Sequence, residues 1–333
     1  MTGTLPFISI VVPAFGRPAA LAALLEALAD QSYPTGSFEV LVADDGTVPP
    51  LAEQLPQRHS PFSLRFLRAP NAGPATARNR GVAEARGTII AFTDDDCLPE
   101  PGWLDGIAEA FDDPLCYAVH GPVRSAVPPI EALVHSVRLG PQDGVATANF
   151  AIKKDVLLGI GGFDETFGAP FFEDEDLIRR LREWLGEPSW SEAVVVQHPP
   201  RPIAFAGAWR AAGYLRWLPY MQRKHPEAWG GMAPGVWRRV ALKSGLLGLG
   251  LSPLFGAPAL GWLGLAALFA WQARRLKRGL SQAIAHQWRI PLGSQLAFLG
   301  LEWLLDFKRA WALWQGRRVE TKPPAPIEQE LGF

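Results

Sequence analysis

The sequence predicts an α/β fold with a mainly parallel central sheet, and three observations carry that expectation. Short apolar, β-branched runs alternate with helical periodicity over roughly the first 200 residues. The runs are apolar on both parities, as strands buried on both faces are. Polar clusters follow three of them, where such a sheet binds ligands, beyond the carboxyl ends of its strands.

The first run, "FISIVVPAF" from Phe7, is the first strand. In "RPAALAALLEALADQ", Leu21, Leu24, Leu25 and Leu28 share one helical face, and Pro18 suits the first turn. "FEVLVADDG" is a second strand ending in a turn, and "LRFLRA" a third. "GPATARNRGVAEARG" is a helix opened by Pro74 and followed by Gly87. "TIIAFTDDD" is a fourth strand, and "PEPGWLDGIAEAF" the next helix. Further on, "ATANFAIKKDVL" is a strand running into a helix start. "GGFDETFGAPFFEDEDLIRRLREWLG" is a glycine-rich loop feeding a helix whose apolar stripe is Leu177, Leu181, Trp184 and Leu185. "AVVVQHPP" is a last short strand ending at His198.

Composition excludes some classes. A formal charge of −1 over 333 residues gives no global pull toward nucleic acid. Two cysteines, Cys97 and Cys116, argue against a disulfide scaffold and fit a reducing compartment. The opening "MTGTLPFISIVVPAF" has no basic n-region and no small-residue cleavage site, so it is read as the first strand. No G-x-G-x-x-G follows any strand, which weighs against a dinucleotide oxidoreductase.

Four clusters have residue types with chemistry in them. Asp94, Asp95 and Asp96 end the fourth strand; a pair at i and i+2 can hold a divalent cation through oxygen, or form an acidic turn facing solvent. Asp44 and Asp45 end the second, either as an Asp-Gly turn or as carboxylates bonding a base or ribose. Arg78 could reach a diphosphate, although a single helix arginine is more often a surface charge. Glu173 to Asp176 open a helix, where acids complement the dipole. Four in a row exceed what capping needs, and one of them could deprotonate a hydroxyl.

Taken in order, "VVPAFGR", "FEVLVADDG", "NAGPATARNRG", "FTDDDCLPEPGWL" and "GGFDETFG…FEDEDLIRRLR" resemble the inverting family 2 glycosyltransferases of the GT-A fold, over roughly residues 7 to 200. The resemblance implies a nucleotide-diphospho-sugar donor and a divalent cation, Mn or Mg. It implies that Asp94 and Asp96 hold the metal, with His198 aligning loosely with a late metal-binding histidine of some GT-A enzymes. It places Pro13, Ala14, Phe15, Arg17, Asp45, Asn71, Gly73, Arg78, Asp94 and Asp95 in the donor site. Asp174 becomes the general base, and Phe163, Asp164 and Glu173 shape the acceptor side. Two positions depart from the pattern: Gly16 stands where asparagine is frequent, and Thr47 where serine is. A sugar nucleotidyltransferase would need a glycine-rich phosphate loop, and "PAFGRP" has one glycine; a degenerate sugar-binding subunit would not need Asp94, Asp96 and Asp174.

The C-terminal part changes character. Ten of the thirteen tryptophans lie at or after Trp209, and residues 244–273 contain no charged side chain. That run exceeds the ~20 residues of one spanning helix but is too short for two. Pro253 and Pro258 interrupt it, and Arg238, Arg239, Lys243, Arg274, Arg275, Lys277 and Arg278 flank it on both sides. Basic residues at both ends favour a re-entrant hairpin with both ends cytoplasmic. The segment from Leu292 to Trp314 is expected to lie amphipathically at the interface. The expected organisation is a catalytic domain over 1–205, a membrane-associated helical region over 206–320 and a Pro-rich tail over 321–333. The acceptor would then be a saccharide or lipid-linked saccharide, used at the cytoplasmic face in surface polysaccharide or glycolipid synthesis, with no nucleic acid involved.

Overall fold

A computed structural model of the chain describes residues 5–55, 60–125, 134–135, 137–202 and 213–229, and 308–309, 311–312 and 315. These residues fall into two compact units. The first holds those up to 125 and from 137 to 200; the second holds 134–135, 201–202 and those from 213 onward.

The first unit opens with β1 (Ile8–Ala14), α1 (Pro18–Ala29), β2 (Phe38–Asp44), the short α2 (Leu51–Gln54) and β3 (Ser63–Phe66). Next come α3 (Pro74–Glu84), β4 (Ile89–Phe92), β5 (Leu98–Pro99), α4 (Trp103–Ala110), β6 (Ala118–His120) and β7 (Val123–Arg124). In the second unit β8 (Val134–His135) pairs antiparallel with a later strand, β12 (Arg201–Pro202). The first unit resumes with β9 (Phe150–Lys153), α5 (Lys154–Gly159), α6 (Glu173–Leu185), β10 (Ser189–Trp190) and β11 (Val196–Gln197). The second unit adds α7 (Leu218–Lys224) and α8 (Pro226–Trp229).

Seven strands form the main sheet in the order β10-β6-β9-β4-β1-β2-β3. Four of its six pairings are parallel; β9 runs antiparallel to both β4 and β6. Apolar periodicity foretells β9 as a strand but holds no information on its direction. Both faces of the sheet are covered, so the central strands are buried on both parities: every residue of β2 and β4 is buried. One face packs Leu21, Leu24 and Leu28 of α1 with Trp103, Leu104 and Ile107 of α4. The other packs Ala75 and Val82 of α3 with Leu177, Ile178 and Leu181 of α6.

One part of the expected α6 stripe is corrected. Leu177 and Leu181 are buried, but Trp184 is 47% and Leu185 40% exposed, while Ile178 and Asp176 lie inside. Asp176 can be there because Arg180, one turn on, bonds it at 2.9 Å. The expected 244–273 run, the rest of the 206–320 region and the 321–333 tail lie outside the described residues, apart from those already noted. Among the described residues no helix is long and apolar enough to cross a membrane.

β1, β2 and β4 are neighbours, and their register sets Ala14 opposite Asp44 and Val11 opposite Phe92. Parallel direction therefore brings "PAFGR", "ADDG" and "TDDD" to one edge of the sheet. A second, three-stranded sheet, β5-β11-β7, sits beside the same edge and leads into His198. Asn149 ties these parts together. Its Oδ1 accepts the Trp103 indole N–H at 2.9 Å, and its Nδ2 donates to Pro122 O at 3.0 Å and Val194 O at 2.8 Å. At 1% exposure, none of these groups would find water in its absence. Asn149→Ala should therefore lower unfolding stability by about 2–5 kcal/mol. Denaturant unfolding checks this; a loss under about 0.5 kcal/mol would show that the site edge does not depend on this side chain.

Candidate active site

Three carboxylates at the end of β4 repel one another and need cations nearby. Arginines from two different elements supply them. Arg17, in the turn after β1, pairs with Oδ1 of Asp95 and Oδ2 of Asp96. Arg78, on α3, bonds Asp94 Oδ1 at 2.9 Å and, through its other terminal nitrogen, Glu173 Oε1 at 3.0 Å. The two arginines differ in setting: the Arg17 side chain is 34% exposed, the Arg78 side chain 5%. Arg78 is thus no surface charge, which corrects the ordinary expectation for a helix arginine. The face of Phe163 lies 5.5 Å below its guanidinium and adds cation–π attraction.

Asp95 is fully buried, and burial pushes its carboxyl up to about 7 against the pull of Arg17. The Phe15 N–H donates to its second oxygen at 3.3 Å. Asp96 points its other oxygen toward His198 Nε2, 3.6 Å away. Asp96, His198 and the buried Cys97 each place one ligand-type atom within 4.8 Å of the others. Of the residues expected to hold metal, Asp96 and His198 come together; Asp94 lies outside this group, on Arg78. Cys97 enters as a neighbour that the sequence reading did not assign to the site.

At the end of β2 both acids are engaged with backbone. Asp44 accepts the N–H groups of Thr47 at 2.9 Å and Leu51 at 3.1 Å, which shapes the turn into α2. Asp45 accepts from Ala72 N–H and Gly73 N–H, each at 2.9 Å, and from Asn71 Nδ2 at 3.0 Å. Asp45 thereby clamps the loop before α3 against β2. A depression of about 330 Å³ opens beside it, lined by Gly46, Arg68, Ala69, Pro70 and Asn71. The two departures from the family pattern meet here: the Gly16 N–H donates to Thr47 Oγ1 at 3.0 Å. Gly16 has φ +70°, a region that glycine and asparagine both tolerate, so the backbone here suits either residue. Phe15 stands 51% exposed at the same edge, with Pro13 half-buried and Ala14 buried in the sheet.

On the far side, Glu173 and Asp174 begin α6. Glu173 is buried, with Oε1 on Arg78 and Oε2 accepting the Phe171 N–H at 2.7 Å. Both of its oxygens are thus engaged within the protein. Asp174 is half-buried, and its Oδ1 accepts the Glu175 N–H at 2.8 Å. Burial, then the charge of Glu173, push its carboxyl up to about 7, with Arg78 opposing. A carboxyl titrating there is ionised half the time near neutrality and can take up a proton.

The loop before α6 is held from two helices. Asn79 donates to Phe163 O at 2.9 Å and accepts the Phe163 N–H at 2.9 Å. Arg180 donates to Ile160 O at 2.7 Å and Gly162 O at 2.8 Å. Both residues lie in motifs quoted above, yet the sequence assigns them no role, since each acts on backbone atoms distant in sequence. Phe163, expected at the acceptor, is 2% exposed and packs edge-on against Phe92 at 5.2 Å. It supports Arg78 from below and is not a contact surface. Asp164 accepts the Thr166 N–H at 2.9 Å, closing a turn. Gly73 has φ +96°, and a Cβ there would stand 2.8 Å from the backbone of Gly168. Its expected place in the site thus rests on close backbone approach.

Part of the chain resembles known proteins. The model of the family described as "Glycosyl transferase family 2" matches residues 9–157. The chain is 33% identical over 108 residues to the glycosyltransferase AglE of Haloferax volcanii, covering 32% of this chain and 35% of that one. It is 29% identical over 212 residues to the pre-mycofactocin glycosyltransferase of Mycobacterium tuberculosis, covering 58% of this chain and 43% of that one. The chain thus spans less than half the length of either relative. Among solved structures, a mannosyltransferase from Pyrobaculum calidifontis, in complex with GDP-Man and Mn2+, has a similar fold. Its TM-score is 0.55 at 19% identity, over 93% of this chain and 87% of that one.

Removing Arg78 should leave Glu173 buried without its countercharge. Arg78→Ala is expected to cost about 3–5 kcal/mol of unfolding stability, and Arg78→Lys less, because one ammonium cannot fork to two carboxylates. Chemical denaturation of both variants checks this; equal stability of Arg78→Ala and wild type would show that the bridge does not hold the site.

Proposed function

We propose, from the match of residues 9–157 to the model of glycosyl transferase family 2, that this chain moves a sugar from a nucleotide-diphospho-sugar to an acceptor hydroxyl, with inversion. The observation that carries the proposal is the bridge of Arg78 between Asp94 and Glu173. It sets a carboxylate poised near neutrality, Asp174, against the aspartate cluster at the strand end.

The base enters the depression lined by Gly46, Arg68 and Asn71, whose floor Asp45 fixes. The diphosphate lies toward Arg17, Asp96 and His198. Their neighbourhood fits a divalent cation: a carboxylate oxygen, an imidazole nitrogen and a sulfur within 4.8 Å span what one ion with bonds of about 2.0–2.5 Å would bridge. Asp96 and His198 would hold it, and a bound ion supplies countercharge for the departing diphosphate. Asp174 takes the proton of the acceptor hydroxyl as that oxygen attacks the anomeric carbon. One displacement, with attack opposite the leaving group, inverts the anomeric centre.

For the acceptor we propose a saccharide or lipid-linked saccharide, used at the cytoplasmic face of a membrane. The uncharged run over 244–273, its basic flanks and the tryptophan-rich end support that reading. The same features predict partition of the full chain: membranes washed in high salt should retain the protein, and detergent should release it. A salt-washed pellet empty of it would leave the membrane reading without support.

The central test is a donor screen with UDP-, GDP- and dTDP-sugars in Mn2+ or Mg2+, reading hydrolysis and transfer. Asp96→Ala is expected to lower the rate by about 10²-fold or more. Full activity in excess chelator would remove the ion from the proposal.

Asp174→Asn should keep donor affinity and lose transfer. A base works only when ionised, so wild-type kcat/KM should fall as pH drops through about 7. Collapse of donor affinity in Asp174→Asn would instead assign that residue to the donor side.

A further inference from the structure

We propose that Arg17 is a built-in counter-cation: it holds the place of the divalent ion on Asp96 and gives way only when the ion arrives with a diphosphate. The inference rests on the glycosyltransferase reading and adds an order of events to it.

Geometry points to Arg17 first. Its two terminal nitrogens reach separate carboxylates, Oδ1 of Asp95 and Oδ2 of Asp96. Asp96 is also the carboxylate that, with His198 and Cys97, makes up the metal-ligating group. An ion drawn to Asp96 therefore meets a guanidinium already on that carboxylate. Two cations on one carboxylate repel, and the site is dry enough for the repulsion to matter: Asp95 is fully buried and Asp96 9% exposed.

Placement shows which of the two can leave. Arg78 is enclosed by Asp94, Glu173 and Phe163 and is fixed. Arg17 is a third exposed and stands in the turn between β1 and α1, directly after Gly16 with its positive φ. Its planar fork suits phosphate oxygens as well as carboxylates. A diphosphate at the strand end gives the guanidinium a new partner, and the carboxylate of Asp96 is then open to the ion. While no diphosphate is present, Arg17 offsets part of the negative charge on Asp95 and Asp96.

The experiment separates two affinities in the full-length protein. Mn2+ binding is measured alone, by loss of the free-ion electron paramagnetic resonance signal. UDP and GDP, each as a diphosphate probe, are then titrated at saturating Mn2+ by tryptophan fluorescence. In Arg17→Gln the ion alone should bind on the order of tenfold tighter than in wild type, and the diphosphate on the order of tenfold weaker. These opposite changes are the signature, because a residue that only supports the fold would weaken both. Arg17→Lys, with one ammonium and no fork, should fall between the two and serves if Arg17→Gln does not fold. Mn2+ affinity unchanged or weaker in the folded variant overturns the inference while leaving the transferase reading standing. Asp96→Asn tells the two apart: if it binds Mn2+ as well as wild type does, Asp96 is no ligand, and the metal part of that reading fails together with this inference.

Discussion

The Arg78 guanidinium carries its charge where almost no water reaches it, and the rest of the site is arranged around that charge. Two carboxylates from elements far apart in sequence must come to it, Asp94 at the end of β4 and Glu173 in the first turn of α6. Removing a charge from water is tolerable only when its partners are fixed. Glu173 is fixed by its second oxygen on the Phe171 N–H, and Phe163 closes the guanidinium from below. The start of α6 therefore cannot move away from the strand end without exposing or isolating a buried ion. Asp174 follows Glu173 in the chain and inherits that position. Its proton affinity comes from the same arrangement: burial and Glu173 raise it, and Arg78 restrains the rise.

Around this bridge the loops are held by side chains that bond backbone atoms. Asn79 and Arg180 grip the turn at residues 160–163 from two helices, and Asp45 grips residues 71–73. The two gripped loops meet where Gly73 packs on Gly168. Such contacts fix the spacing of the loops through backbone atoms. They also explain why charged residues here are buried: Asp44, Asp45 and Glu173 all accept backbone N–H groups, which serve them as water would outside.

The strands and helices nearest the site were legible because their signals are local. A both-faces-apolar run such as Ile8–Ala14 has little choice but a central strand, and Pro18 and Pro74 mark where α1 and α3 begin. The clusters "ADDG" and "TDDD" stand at strand ends for the same reason, and adjacency of β1, β2 and β4 does the rest. What could not be read is what each acid touches. Asp44 and Asp45 look alike in sequence, yet one shapes the turn into α2 and the other the loop before α3. Asn79 stands within a quoted motif and Asn149 in a strand run, but neither position tells what the side chain bonds, because an amide that bridges backbone groups from distant segments is defined by those segments. Trp184 and Leu185 mislead for the opposite reason: apolar spacing continues into the last turn of α6 after the packing partner has ended.

Charge balance at the strand end links the fold to the proposed chemistry. Four carboxylates, Asp94, Asp95, Asp96 and Glu173, face two guanidiniums there, so the edge is acidic even with both arginines in place. Burial answers part of this excess by pushing Asp95 up to about 7, so that near neutrality its ionisation is incomplete. The proposed diphosphate would be repelled by such an edge, and Arg78 is already paired with Asp94 and Glu173. In the proposed reaction, Arg17 and an accompanying cation turn that repulsion into binding. Under the proposed reaction, the same acidity that disfavours a bare diphosphate would also disfavour keeping one after the sugar has left. An edge rich in carboxylates, awkward for stability, is thus suited to a donor that must both arrive and depart.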